Sequence, residues 1–300
     1  MEIDNLAPIV LFVYKRADTL RKAIEALQQN PLAKSSDLIV YSDAAKSSKD
    51  EKAIAEVRAF LKTISGFKTL RIVEADTNKG LAASIIQGVS ETLEKYGQAI
   101  VLEDDLVTST NFLAYMNSAL NHYQSNPEVF SISGFSMPIK GLQDKDVFFT
   151  FRGSSWGWAT WADRWKHIDW ETKDYQEFKN NAALRNQFNQ MGSDMAGMLD
   201  RQLEGKINSW AIRFNYHQFV FKKYSVHPAI SKVINIGFAE GATHTNDKFD
   251  RFKTYLDTSG KTKFEFPDHL NLDKKVIAQF VRPYSIFIRI KHKLLNLLPI

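Results

Sequence analysis

The chain has 300 residues, 44% hydrophobic and 24% charged, with no cysteine. That balance supports one large or two modest ordered domains and excludes disordered, collagen-like and simple coiled-coil chains, while the lack of cysteine removes disulfides, thiolate metal sites and a thiol nucleophile. The formal charge is +5, but Lys274, Lys275, Arg282, Arg289, Lys291 and Lys293 against Asp273 supply all of it, so the body is neutral and no nucleic acid is expected as a partner.

Residues 1–8 lack the basic and apolar regions of a signal peptide, and no run approaches the ~18 apolar residues of a membrane span, so a cytoplasmic location is expected. Residues 8–14 form a short apolar run of the kind buried on both faces of a parallel sheet. Leu20, Ile24 and Leu27 then fall at helical spacing, and Asn30-Pro31 stops that helix. The theme repeats with a strand over 37–42, a helix over 50–63, a strand over 69–74 and a helix over 79–96. A strand over 99–102 and a helix over 110–124 follow. Alternation at this rhythm implies right-handed crossovers and a parallel sheet, whose ligands bind beyond the carboxyl ends of its strands. After residue 128 the rhythm changes. Residues 129–133 and 147–152 read as strands, a tryptophan-dense segment follows, and helices are expected over 173–188, 194–204 and 210–222.

The loops after residues 14, 42, 75 and 102 share one edge of such a sheet. That gathers Lys15, Arg16, Asp43, Asp76 to Lys79 and Glu103 to Asp105 around one cleft. Glu103-Asp104-Asp105 sits directly after an apolar strand, and three adjacent carboxylates raise one another's pKa. Either a hard divalent cation, Mg2+ or Mn2+, offsets that cost, or the acids simply lie near the N-terminus of the next helix. Asn78-Lys79-Gly80-Leu81 opens a helix, where backbone N–H groups and a lysine meet an anion or where Asn merely caps. Asp43 ends the second strand, as an acceptor for a nucleobase or ribose or as an Asx-turn. Arg16 pairs with a phosphate or lies on the surface. Neither G-x-x-x-x-G-K-[ST] nor a strand-following G-x-G-x-x-G occurs.

Arg16 after a first strand, Asp43, Asn78-Lys79-Gly80-Leu81 and a strand running into Glu103-Asp104-Asp105 together resemble the GT-A nucleotide-sugar glycosyltransferases. Glu-Asp-Asp is the form that the family's Asp-x-Asp motif takes in N-acetylglucosaminyltransferase I, and residues 226–237 are similar to that enzyme's segment near the end of its catalytic core. Ser-Trp-Gly-Trp-Ala-Thr-Trp at 155–161, Ser-Trp-Ala-Ile-Arg at 209–213 and Gly-Phe…Thr-His at 237–244 resemble bacterial surface-glycan sugar transferases more closely still. The resemblance covers residues 7–245. It implies an α/β, Rossmann-like GT-A fold over 1–270, a mixed and mostly parallel sheet flanked by helices. Residues 1–128 are then the nucleotide-binding half and 129–270 the acceptor half. It also implies a metal-dependent, inverting transfer of a hexosyl or N-acetylhexosaminyl group from a nucleotide-sugar, UDP-sugars foremost, to a glycan or lipid-linked glycan. Under it Arg16 and Asp43 lie near the nucleobase, Asn78, Lys79, Gly80, Glu103 and Asp104 serve the donor, and Asp105 chiefly holds Mn2+ or Mg2+. His244 either completes the metal or phosphate shell or, as is more often true of a lone histidine, is a hydrogen-bonded structural residue.

Trp156, Trp158, Trp161 and Trp165 crowd together, and aromatic faces suit the C–H faces of sugars. Trp156 and Trp158, in an expected loop, are candidate acceptor contacts together with Trp210 and Arg213, whereas Trp161 and Trp165, four apart on an expected helix, fill a core. An inverting transfer needs a general base at the acceptor hydroxyl. Asp194 matches an aspartate of similar bacterial sequences ahead of Met198-Leu199 and is expected in that role, with a helix N-cap as the competing one. The Trp-Asp-Asp-Trp segment that carries the base in N-acetylglucosaminyltransferase I has no acid counterpart at Asn208-Ser209-Trp210. In the basic tail, 271–300, Pro283 divides two short helices. Phe287, Ile290, Leu294, Leu297 and Leu298 share one face, with Arg289, His292, Lys293 and Asn296 opposite and Lys291 the exception. Such a segment is expected either to make peripheral contact through 274–300 with the anionic inner face of the plasma membrane or to dock on the protein itself. Two other functions compete. One is a sugar-1-phosphate nucleotidyltransferase, whose glycine-rich loop after the first strand is missing here; the other is a non-catalytic carbohydrate-binding or membrane-scaffold protein.

Overall fold

A computed structural model describes residues 6–237 and 251–297. Strand β1 (Ile9–Val13) is buried throughout, as its unbroken apolar run requires. It leads into helix α1 (Ala17–Gln28), which buries Leu20, Ala23, Ile24 and Leu27. Then come β2 (Asp37–Ser42), α2 (Ser48–Leu61), β3 (Thr69–Glu74), α3 (Leu81–Tyr96) and β4 (Gln98–Glu103). A short β5 (Leu106–Thr108) precedes α4 (Phe112–Tyr123), β6 (Val129–Ser133), β7 (Val147–Thr150) and β8 (Trp158–Trp161). Helices α5 (Ala162–Trp165), α6 (Tyr175–Asn180), α7 (Ala182–Phe188), α8 (Met195–Leu203) and α9 (Trp210–Val220) follow. Two strands, β9 (Tyr224–Pro228) and β10 (Val233–Asn235), and two helices, α10 (Lys274–Val281) and α11 (Ile286–Leu297), complete the described chain.

Eight of these strands make one sheet in the order β3-β2-β1-β4-β8-β6-β9-β7. β1 lies parallel to β2 and β4, β2 parallel to β3, and β6 parallel to β9. β8 runs antiparallel between β4 and β6, and β7 antiparallel to β9. The sheet is therefore mixed and mostly parallel, flanked by helices, in the expected α/β class. Alternation along β1 and β4 sends Leu11 and Leu102 into a core with α1 and α4, and Val10, Phe12 and Val101 into a second core with α3 and α9. β5 and β10 pair separately as an antiparallel ribbon.

The tryptophan segment departs from the expected loop and helix. Trp158 pairs with Val101 and Trp161 with Gln98, so these residues form an inner strand. Trp161 ends that strand and shares no helix with Trp165, which lies in α5. Gly157, just before β8, has φ +58°, and a Cβ there would stand 2.9 Å from Val233, so the approach of the β10 ribbon needs glycine. The helix expected over 173–188 breaks at Asn181, whose side chain accepts from the Leu184 N–H and starts α7 afresh.

The tail also differs from a unit that begins apart at residue 271. Val276, Phe280 and Tyr284 are buried in the main core, and the Phe280 ring lies 4.7 Å from His227 and 5.6 Å from Phe148. Apolar side chains on α10 find a partner in the body, so the chain is docked as far as Tyr284 before α11 begins. Pro283 sits in the 3-10 turn between the two helices. Among the described residues no helix is long and apolar enough to cross a membrane.

Candidate functional site

β1, β2 and β4 end side by side, and the backbone N–H of Tyr14, just past β1, donates to Asp104 Oδ2 at 3.2 Å. Arg16 then reaches across: its Nη2 donates to Asp104 Oδ1 at 2.5 Å and to Asp105 Oδ2 at 2.8 Å. Both carboxylates are nearly buried, 4% and 9% exposed. Burial drives the Asp104 carboxyl above its ordinary range against the pull of Arg16. Burial also works against the Arg16 charge, but the two aspartates outweigh it and raise the guanidinium. Glu103 is pushed up to about 8 by desolvation and by the charges of Asp105 and Asp104. Arg16 is therefore the counter-ion of the acid pair, where the resemblance implied a place near the nucleobase. Opposite charges this close in a half-buried loop pair with each other.

One oxygen is left over. Asp105 Oδ1 is buried and has no hydrogen-bond partner, while the Asp105 carbonyl accepts from the Ile236 N–H at 2.9 Å. β10 carries Gly237 across this spot, where a Cβ would collide with Asp105 Oδ2 and stand 2.8 Å from Arg16 Nη1. Only a glycine backbone passes so close. A single unpartnered carboxylate oxygen fits a Mg2+ or Mn2+ ion that takes its other ligands from phosphate and water. Among the described residues no three acidic or histidine groups converge into a ready-made cage, and His244 lies outside the described residues.

Asp43 is fully engaged at the end of β2. Its Oδ1 accepts from the N–H groups of Ala44 and Lys79, both at 2.9 Å, and its Oδ2 from the Gly80 N–H at 2.9 Å and Asn78 Nδ2 at 3.1 Å. A carboxylate has about four lone-pair sites, so Asp43 staples 78–80 to β2 and has none left for a nucleobase. Asn78 Nδ2 also donates to the Ala44 carbonyl at 2.8 Å, and Lys79 Nζ turns back along α3 to Gln87 Oε1 at 2.8 Å. Beside this staple, Lys15 Nζ and Tyr14 Oη both donate to Asp50, at 2.7 and 3.1 Å. Tyr14 and Asp50 were not among the residues the sequence pointed to. Their contact ties the loop after β1 to the first turn of α2, and its local sign is the acid in that turn.

Trp158 and Trp210 are 2% and 4% exposed and stack at 4.7 Å. Arg213 Nη1 donates to the Trp170 carbonyl at 2.8 Å, and burial lowers its pKa. Trp158 and Trp210 are core residues rather than the exposed acceptor faces expected, because a strand beside β4 sends Trp158 inward against α9, and Arg213 braces the Trp170 carbonyl. Trp156 precedes that strand and stays partly exposed, its ring 4.6 Å from Phe135 and 6.0 Å from Phe252. Phe252 in turn lies 5.0 Å from Tyr284, and Arg152 stacks over the Tyr284 ring at 3.7 Å. Arg152 Nη1 donates to Asp194 Oδ1 at 3.2 Å. Asp194 holds the N-cap position of α8 but makes no capping hydrogen bond; its carboxylate faces Arg152 instead.

No protein-family model matches the sequence, and no curated protein matches it. Solved structures similar to this chain include the mannosyltransferase PcManGT from Pyrobaculum calidifontis in complex with GDP-Man and Mn2+, 13% identical over 54% of this chain and 46% of its own, with a TM-score of 0.40. Residues 1–349 of S. aureus TarS are 8% identical over 77% of this chain and 61% of their own, with a TM-score of 0.41. The same TarS fragment in complex with UDP-GlcNAc is 10% identical over 46% of this chain and 36% of its own, with a TM-score of 0.30. The chain thus spans less than two thirds of the length of each of these structures.

Proposed function

We propose that the chain is a nucleotide-sugar glycosyltransferase of GT-A type, with the donor across the carboxyl ends of β1, β2 and β4 and the acceptor on the side of Trp156 and Asp194. The observation that carries this reading is the buried Asp104–Arg16–Asp105 group with Asp105 Oδ1 unpartnered, at the strand ends where open α/β sheets bind ligands. Arg16 bridges the two carboxylates and offers its remaining N–H groups to a phosphate. Asp105 would hold Mg2+ or Mn2+, whose charge offsets that of the leaving nucleotide diphosphate as the sugar C1–O bond breaks. Asp43 sets the rim at Asn78, Lys79 and Gly80, where the first turn of α3 begins. Trp156 gives an aromatic face to a sugar ring. Asp194, oriented by Arg152, takes the proton of the acceptor hydroxyl in an inverting transfer. A UDP-sugar is the donor tested first, and a glycan or lipid-linked glycan the acceptor.

The test is a thermal-shift screen of UDP- and GDP-sugars with and without Mn2+. A ligand at about 100 times its Kd stabilises the folded state by about 2.7 kcal/mol, which raises the midpoint by several degrees. Asp105→Asn is expected to remove the Mn2+-dependent part of that shift. Asp194→Asn is expected to keep it and to lower turnover by about 100-fold or more. A screen in which no nucleotide sugar moves the midpoint with Mn2+ present overturns the proposal.

A further inference from the structure

We propose that α11 is a docking helix for an anionic lipid surface, held to the body by its polar face and presenting its apolar face outward. This stands apart from the transferase reading. An ordinary surface helix turns its apolar stripe toward the core. Here Ile286, Phe287, Ile290 and Leu294 are 58%, 73%, 52% and 60% exposed. Four of the eight large apolar side chains most exposed among the described residues thus fall on one helix, which makes a patch rather than a scatter. The opposite face meets the protein at Arg289, whose Nη1 donates to Ser193 Oγ at 3.4 Å. The root of the helix is fixed too, since the Tyr284 carbonyl accepts from the Ser193 N–H at 3.2 Å and from Ser193 Oγ at 2.8 Å.

Charge selects the occupant. Lys291 and Lys293 are exposed beside the apolar stripe, Lys274, Lys275 and Arg282 are exposed upstream, and no acid follows Asp273. A second copy seated face to face would bring these lysines against their own equivalents, which like charges disfavour. An anionic bilayer matches both the stripe and its basic flank. The 12 described residues of α11 are long enough to lie in the headgroup layer, and among the described residues no helix is long and apolar enough to cross a membrane. Because Ser193 and Asp194 are adjacent, docking on this plane fixes how the Asp194 side of the molecule faces the lipid.

Flotation of the full chain with phosphatidylcholine vesicles, with and without phosphatidylglycerol, tests this. Binding is expected only where phosphatidylglycerol is present, weakened about fivefold by each of Lys291→Gln and Lys293→Gln and abolished by Phe287→Glu with Leu294→Glu. The altered side chains face solvent, so the thermal midpoint is expected to stay at the wild-type value; Phe287→Ser serves in place of the double variant should that one lose its fold. Failure of the wild-type chain to float with anionic vesicles overturns the proposal. So does a concentration-dependent dimer that Phe287→Ser dissolves, since a second copy then covers the face.

Discussion

Arg16 shares one nitrogen between two nearly buried aspartates that follow each other in the chain. Without it, Asp104 and Asp105 face each other and Glu103 with no neutralising group in contact among the described residues. Arg16→Met is therefore expected to lower stability by about 2 kcal/mol, less than the 3–5 kcal/mol typical of a fully buried broken pair because the arginine keeps some exposure. Mn2+ is expected to raise the midpoint of this variant more than that of the wild type, since the ion supplies the charge that the substitution removes. Calorimetry with and without Mn2+ reads both effects, and a variant indifferent to Mn2+ means that the acid pair is not a cation site. The acids themselves were legible as residues at a strand's carboxyl end. Arg16 was legible as a residue of the same cleft, but its pairing with them was not, because an arginine 88 residues away leaves no local trace of the contact. Asp43 was legible as a strand-end acid but not as a saturated one: its four donors come from Ala44 and from a loop beyond β3.

β8 shows what an inner strand gains from aromatic residues. Trp158 lies between Trp165 and Trp210, with ring centroids 5.7 and 4.7 Å away, and fills the core between the sheet and α9. Trp158→Ala is expected to cost about 3–5 kcal/mol by transfer and cavity formation. Trp156→Ala, two residues earlier and half-exposed, is expected to cost much less stability and to raise KM for the acceptor. Denaturant titration and acceptor kinetics separate the two, and equal stability losses would show that Trp156 is also a core residue. β2, β3 and β6 occupy the stretches their apolar patterns predicted. β8 was missed because Trp-Gly-Trp resembles a loop sequence, and because antiparallel insertion beside β4 depends on long-range pairing rather than on local periodicity. β9 was hidden by Ser225, His227 and Pro228, and three-residue strands such as β5 and β10 give no period to read.

At the scale of the molecule, His227 is where sheet, loop and tail meet. It is fully buried in β9, with Nδ1 2.8 Å from the Phe135 carbonyl, Nε2 3.0 Å from the Arg152 carbonyl, and its ring against Phe148 of β7 and Phe280 of α10. The two carbonyls favour a protonated ring, but burial prevails and lowers the pKa from 6.5 to about 4. Between those values the unfolded chain binds a proton that the folded chain refuses. Stability therefore falls as pH drops through this window and levels off below it. At about 1.36 kcal/mol per pH unit the whole window amounts to roughly 3 kcal/mol. His227→Gln removes the titrating ring, so between about pH 7 and pH 4.5 the wild type is expected to lose on the order of 2 kcal/mol more than the variant. Because Phe280 rests on this ring, α10 is the element expected to loosen first, which brief proteolysis at the lower pH detects as cleavage near Lys274 and Lys275. Parallel stability profiles for the two proteins would mean that the folded and unfolded chains take up the proton equally, the Phe135 and Arg152 carbonyls offsetting the burial. Acid would then leave the tail in place.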